Sequence, residues 1–200
     1  MMTIERRLFL LGGLAVSAAP AFAQTRRAAS TLTAAARRQV GVTVSYDPAY
    51  SRLAFPGGDV SRAKGVCTDV VIRAYRDAFG LDLQALVNAD MKRAFATYPK
   101  RWGLRTTDRN IDHRRVPNLQ TFLARQNAKL SIPTDASGWR AGDIVTSLVG
   151  GTLPHIGIVS DKRTLFGRHL VIHNIGSGTR EEDQLMAHKI TGRYRWALDG

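Results

Sequence analysis

The sequence predicts an α+β fold, in which N-terminal helices pack on a C-terminal antiparallel sheet. Apolar residues recur at helical spacing between residues 67 and 123. Beyond Gly142 the pattern changes to short β-rich runs separated by glycine pairs or charged turns. Helices followed by strands are typical of the α+β class. We expect a single domain over residues 43–200, preceded by an N-terminal segment, 24–42, in which residues 32–40 could form a short helix.

The first 23 residues have the composition of an export signal. Arg6 and Arg7 precede an apolar stretch that ends in small residues around Ala21 and Ala23, as in an A-x-A cleavage site. The stretch is shorter than the roughly 20 residues that cross a bilayer. The paired arginines resemble a twin-arginine signal. We therefore expect residues 1–23 to be a signal peptide and the protein to be periplasmic or otherwise exported, without a stable membrane span.

Three helices are predicted ahead of the sheet. The first begins after Gly65, buries one apolar stripe and ends at Gly80. The second ends before Pro99, and the third follows Asn118. Their apolar positions are Val70, Val71, Ala74 and Ala78, then Leu83, Leu86, Val87, Met91 and Phe95, then Leu119, Phe122 and Leu123.

Four strands are predicted after Gly142 from β-rich runs bounded by turns. They cover Ile144–Val149, His155–Val159, Leu170–Ile175 and Tyr194–Ala197.

Cys67 is the single cysteine, so the chain cannot form an internal disulfide. It stands in the first turn of the first predicted core helix, where unpaired backbone N–H groups and the helix dipole lower the pKa of a thiol. A thiol in this position is a candidate nucleophile once a base takes its proton.

His155 is the candidate base. Alternation along its strand predicts that His155 and Gly157 share one face of the sheet and that Ile156 lies on the other. Because Gly157 would leave room for a helix, we expect the Cys67 helix to pack on the His155 face. His173, in the next strand, could orient the His155 ring. Taken alone, each histidine would more often be a structural residue than a catalyst.

The order of these blocks resembles that of NlpC-type, papain-like cell-wall cysteine peptidases. The matching stretches are Cys67–Val71, Gly142–Val145, His155–Ile158 and Ile172–His173. The resemblance implies a papain-like fold with its nucleophile at a helix N-terminus, and Cys67, His155 and His173 as catalytic residues. More closely, the chain from Tyr46 to Trp196 is similar to the YijF-like domain of unknown function 1287 family. The residues around Cys67 differ from the wider group, which commonly has Asp or Asn before the cysteine and Ser-Gly after it.

Three further residues are candidates for substrate binding. The hydroxyl of Tyr46 could contribute to an oxyanion hole, although a tyrosine packed against the core is an alternative. Arg114 and Arg115 could bind a substrate carboxylate, since guanidinium groups match carboxylates in geometry. A solvated loop with internal ion pairs is the alternative for this cluster.

The net charge of +13 favours an anionic partner, and export favours cell-wall polymer over nucleic acid. The sequence therefore predicts an exported cysteine hydrolase that cleaves an amide bond in peptidoglycan stem peptides, without a cofactor. A non-catalytic wall-binding module on the same fold is the alternative. Cys67, His155 and His173 could also bind zinc, but no short-range ligand pair accompanies them.

Overall fold

Helices precede the sheet in the computed structural model, which describes residues 19–198. Of the predicted signal peptide, residues 1–18 lie outside the described part, and the remainder begins the first helix. The helices are α1 Ala19–Arg37, α2 Cys67–Phe79, α3 Leu83–Ala94 and α4 Val116–Arg125, with short 3-10 turns at Phe95–Thr97, Asp112–Arg114 and Ala136–Gly138. The strands are β1 Ser45–Tyr46, β2 Lys64–Gly65, β3 Lys129–Leu130, β4 Ile144–Val149, β5 Leu153–Arg163, β6 His169–Asn174, β7 Thr179–Glu182 and β8 Lys189–Tyr194.

The main sheet has six strands in the order β3-β8-β4-β5-β6-β7, and each neighbouring pair is antiparallel. Strands β1 and β2 form a separate parallel pair. Helices packed on an antiparallel sheet confirm the predicted α+β class.

Helix α1 is longer than the predicted helix at residues 32–40 and ends earlier, at Arg37. Leu32, Ala35 and Ala36 are fully buried in the core. The guanidinium of Arg37 pairs with Glu181 on β7 at 2.8 Å, which ties the end of the helix to the sheet. None of the helices within residues 19–198 is both long enough and apolar enough to cross a membrane.

Helix α2 spans the predicted first helix and packs on one face of the sheet. Its apolar stripe buries Val70, Val71 and Ala74 in the same core as Ile156 and Ile158. Gly80 ends the helix with φ of 69°, a left-handed conformation that glycine adopts without a steric cost. The predicted helix end at this glycine is confirmed.

Near the end of the sheet, one predicted strand is wrong and one observed strand was not predicted. The last strand covers Lys189–Tyr194, and the predicted strand Tyr194–Ala197 is not formed. The chain leaves the sheet there because the Trp196 ring packs between Tyr75 and Phe122, at centroid distances of 5.1 and 5.3 Å. Strand β7 was not predicted, because its sequence Thr-Arg-Glu-Glu has no apolar alternation.

Candidate active site

Cys67 is the first residue of α2, directly after the extended residue Val66. The Asp69 carboxylate accepts the Val66 backbone N–H at 2.7 Å, which satisfies one of the unpaired donors at the start of the helix. Strand β2 leads directly into this turn, and its residue Gly65 pairs with Tyr46 of β1. The sulfur therefore sits at the positive end of the helix, as the sequence predicts.

Arg114 fixes this turn from the opposite side. Its Nε and Nη2 atoms donate to the two oxygens of Asp69, each at 2.9 Å, and both side chains are at most 4% exposed. The Arg114 carbonyl accepts the hydroxyl of Thr68 at 3.0 Å. The guanidinium predicted to bind substrate is thus committed to Asp69, and its role in this geometry is to position the Cys67 turn.

Cys67 is buried, with only 4% of the residue exposed. Burial raises the pKa of the thiol to about 12, while the backbone N–H groups of Ile156, Thr68 and Cys67 itself act in the opposite direction. The thiol is therefore protonated at neutral pH. Attack on a carbonyl requires a neighbouring base to take that proton.

His155 and His173 form a hydrogen-bonded pair on β5 and β6. Nε2 of His155 lies 2.8 Å from Nδ1 of His173, and Nε2 of His173 lies 3.1 Å from Oε1 of Glu182. Burial lowers the pKa of both histidines, to about 3 for His155. Both rings are neutral at pH 7 and able to accept a proton.

The chain of hydrogen bonds determines where each proton lies. A carboxylate only accepts, so Nε2 of His173 carries its hydrogen toward Glu182. Nδ1 of a neutral His173 is then an acceptor, and Nε2 of His155 donates to it. The remaining nitrogen, Nδ1 of His155, has an unprotonated lone pair. This nitrogen is the one available to act as a base.

The sheet faces follow the predicted alternation, but the expected docking face for α2 is wrong. The helix packs on the face of Ile156, Ile158 and Ile172, whereas Val159 and Val171 lie in a second core on the other face. Gly157 makes room for its strand neighbours rather than for the helix. A Cβ atom there would lie 2.6 Å from Val171 Cγ1 and 3.1 Å from His173 Cβ. The isoleucine face carries the larger of the two apolar cores, and burial of apolar surface favours packing of the helix there.

The Cys67 sulfur nevertheless lies close to the backbone at the start of β5. The sulfur interacts with the backbone N–H of Ile156, the residue that directly follows His155. Within the described residues, the His155 ring is hydrogen-bonded to His173 and not to the sulfur. The two groups are thus neighbours along the strand backbone without a direct hydrogen bond between them.

A cavity of about 270 Å³ opens beside the sulfur, and Cys67 and Pro154 both line it. Tyr46 forms part of its wall and is 40% exposed. Burial raises the pKa of Tyr46 to about 12, and the nearby Cys67 adds to this shift, so the hydroxyl keeps its proton as a donor.

The opposite wall of this cavity is cationic and aromatic. The guanidinium carbons of Arg115 and Arg101 lie 4.1 and 5.6 Å from the ring centroid of Trp102. Arg115 also pairs with Asp112 at 3.2 Å and remains partly accessible. The structure thus brings Tyr46 and Arg115 to the cavity beside Cys67.

No group of three or more His, Cys, Asp or Glu side chains within residues 19–198 is arranged to hold a metal ion. The hydrogen bonds to His155 and Glu182 occupy both ring nitrogens of His173, one of the three residues considered as zinc ligands.

Glu182 and Asp69 are the two site residues whose roles the sequence reasoning missed. Glu182 lies on the unpredicted strand β7, opposite Val171 and two positions from Arg180, the partner of His173. Asp69 could have been found from its position, since an acidic residue at the third helical position commonly accepts the N-cap N–H.

The fold and site define an α+β domain with a helix-borne cysteine close to the backbone of β5, which carries one residue of a buried histidine pair. The profile of the family described as a domain of unknown function, DUF1287, matches residues 33–196, and the chain belongs to this family. It is 50% identical over 161 residues to the uncharacterized protein YijF of Escherichia coli strain K12, covering 80% of this chain and 78% of that protein. The predicted similarity to the YijF-like family is confirmed.

Proposed function

We propose that the protein is an exported cysteine hydrolase that cleaves an amide bond in peptidoglycan stem peptides through a thioester. The observation that carries this proposal is the hydrogen-bond chain from Glu182 through His173 to His155. It leaves an unprotonated nitrogen on His155, the residue that directly precedes Ile156, whose backbone N–H interacts with the Cys67 sulfur. The resemblance of these blocks to NlpC-type peptidases supports the same roles.

In this mechanism, Nδ1 of His155 takes the thiol proton as the Cys67 sulfur bonds to the substrate carbonyl carbon. The carbonyl oxygen becomes an oxyanion, and the backbone N–H of Cys67 and the Tyr46 hydroxyl are its candidate donors. When the C–N bond breaks, the amine leaves with the proton from His155. Water then adds to the thioester, giving up a proton to His155, and the acid product leaves as the thiol reforms.

The substrate class is supported by the charge of the cavity. Arg115 and Arg101, stacked near Trp102, provide cationic groups for the carboxylates of stem peptides. The overall net charge of +13 has the sign that an anionic cell-wall partner requires. The export signal predicted at residues 1–23 would bring the protein to this substrate.

A non-catalytic wall-binding module is the second candidate, and the burial of the thiol favours it. A buried, protonated sulfur is less reactive than an exposed thiolate. In that case the cationic cavity binds stem peptides without cutting them, and Cys67 contributes only to packing.

The two candidates are separated by incubating purified muropeptides with the protein under reducing conditions and analysing the products by mass spectrometry. The hydrolase proposal expects new fragments that differ by the addition of water, and none with Cys67→Ala. Leu165→Ala is the matched control, because this side chain is fully exposed in a loop that does not line the cavity. Intact muropeptides after incubation with folded wild-type protein would overturn the hydrolase proposal. Unchanged binding of sacculi by Cys67→Ala, together with that result, would support the binding module.

A further inference from the structure

A second cavity lies at the far end of β5 from Cys67. Its volume is about 510 Å³, within the range of sites that hold small organic ligands. His155 and Arg163 mark the two sites on the same strand, eight positions apart, which corresponds to roughly 26 Å. The cavity is therefore separate from the candidate active site. Its walls come from α1, the loop before β4 and the adjoining ends of β5 and β6.

The walls of this second cavity are strongly cationic. Four arginines line it: Arg26, Arg140, Arg163 and Arg195. Within residues 19–198, Arg195 pairs with the buried Asp143, whereas the other three guanidinium groups have no carboxylate partner. The carboxylate of Asp161 also lines the cavity, but it is already paired with Arg37. The cavity thus has an excess of positive charge that an anion would neutralise.

Two buried polar side chains in the wall also lack a partner. Nε1 of Trp139 and Nε2 of His169 are buried without a hydrogen bond, in residues that are 1% and 4% exposed. Buried polar atoms are normally paired, so each of these is an unused recognition group. The Trp139 indole can only donate.

His169 provides an acceptor instead. Its Nδ1 lies 2.5 Å from the Ser160 carbonyl, which can only accept, so Nδ1 carries the hydrogen. Burial lowers the pKa of His169, and the Ser160 carbonyl opposes this shift. The neutral ring therefore presents a lone pair at Nε2. Arg163, Asp143 and Asp161 are the charged groups that act on it.

We propose that this second cavity binds a phosphorylated sugar or a similar hydroxyl-bearing phosphate ester. The arginines and the Trp139 indole suit the phosphate oxygens, and Nε2 of His169 suits a hydroxyl donor. A phosphate ester presents more oxygens and more negative charge to the arginines than a carboxylate does, and an anion without a hydroxyl would leave the acceptor on His169 unpaired. This inference goes beyond the proposed hydrolase function and does not depend on it, because the site is remote from Cys67.

The test follows the indole N–H signals by NMR during titration with glucose 6-phosphate. The chain has three tryptophans, and Trp139→Phe assigns the relevant signal. Trp102, beside the first cavity, is an internal reference. We expect a saturable shift of the Trp139 signal, no shift of the Trp102 signal, and weaker binding of glucuronate, which has a carboxylate in place of the phosphate.

Arg140→Ala/Arg163→Ala should weaken binding by at least about tenfold, since each variant removes a charge-assisted contact. Lys92→Ala/Arg93→Ala is the matched control: it removes the same charge from exposed positions on α3, outside the cavity, and should bind as the wild type does. A Trp139 signal that does not move would overturn the proposal. So would equal binding of glucuronate, or an equal loss of binding in both double variants. Hydrolysis of muropeptides is not part of this readout, so the proposed function can fail or hold independently.

Discussion

Asp69→Asn should destabilise the protein far more than its surface counterpart on the same helix. The substitution removes the negative charge that faces Arg114, whose side chain is 2% exposed and is bonded to both Asp69 oxygens at 2.9 Å. The asparagine side chain has only one acceptor atom, its oxygen, because the amide NH₂ group can only donate. It therefore cannot keep all the hydrogen bonds that the two Asp69 oxygens accept from Arg114 and Val66. Breaking a buried pair in this way costs about 3–5 kcal/mol, because a charge remains buried without its partner.

Asp77→Asn is the matched control for this prediction. Asp77 also lies on α2 and also forms a two-point contact with an arginine, with distances of 2.6 and 2.7 Å to Arg62. That arginine side chain is 46% exposed, so solvent screens the pair. We expect a loss of about 0–1 kcal/mol.

The measurement is urea unfolding at pH 7, followed by tryptophan fluorescence, with the free energy of unfolding extrapolated to water. Asp69→Asn/Arg114→Gln should recover part of the loss, because it leaves no unpaired buried charge. Equal losses for Asp69→Asn and Asp77→Asn would refute the reasoning. It would show that the Asp69–Arg114 pair does not hold the Cys67 turn in place.

Three further predictions concern the buried histidines and the cavity. Burial lowers the pKa of His113 to about 4 and that of His155 to about 3, so the unfolded state binds more protons between these values and about 6.5. The free energy of unfolding should therefore fall with falling pH, by about 2 kcal/mol per histidine at pH 5. Urea midpoints at pH 7 and pH 5 test this. A loss of stability at pH 5 that His113→Gln does not reduce would contradict it. If the hydrolase proposal holds, Glu182→Leu should lower kcat roughly tenfold to a hundredfold, a smaller effect than removal of the general base itself would have. Glu182→Gln should retain activity, because its amide oxygen still accepts a hydrogen bond from His173. Equal rates for these two variants would show that the hydrogen-bond chain does not orient the base. Arg115→Ala should raise KM about tenfold for a stem peptide with little change in kcat, since a charge-assisted contact to substrate is lost; a purely kcat effect would instead assign Arg115 to the chemical step.

Much of the helical half of the fold could be predicted from the sequence. The apolar spacing from Val70 to Ala78 and the glycine at position 80 determine the first core helix, and both are local signals. The antiparallel strands around His155 follow from alternation in the same way. Strand β7 could not be found by such signals, because its glutamates are stabilised by long-range partners. Glu181, for example, pairs with Arg37 across the fold.

Cys67 and His155 could be predicted as candidate residues, but the role of Glu182 and the assembly of the site could not. Helix position and strand alternation indicate Cys67 and His155, whereas the face on which α2 packs depends on the apolar area of Ile156 and its neighbours. The expected docking on the Gly157 face failed because that space is filled from the adjacent strand. The pairing of Arg114 with Asp69 is equally non-local, with the two residues 45 positions apart.

The formation of a covalent bond between substrate and Cys67 is the most direct test of the proposed chemistry. The protein is mixed with an excess of muropeptide, quenched in acid within seconds, and its intact mass is measured. We expect an adduct with the mass of the acyl fragment on Cys67, and no adduct with Cys67→Ala. Turnover of muropeptide without an adduct, or with the same rate in Cys67→Ala, would contradict a nucleophilic role for this sulfur.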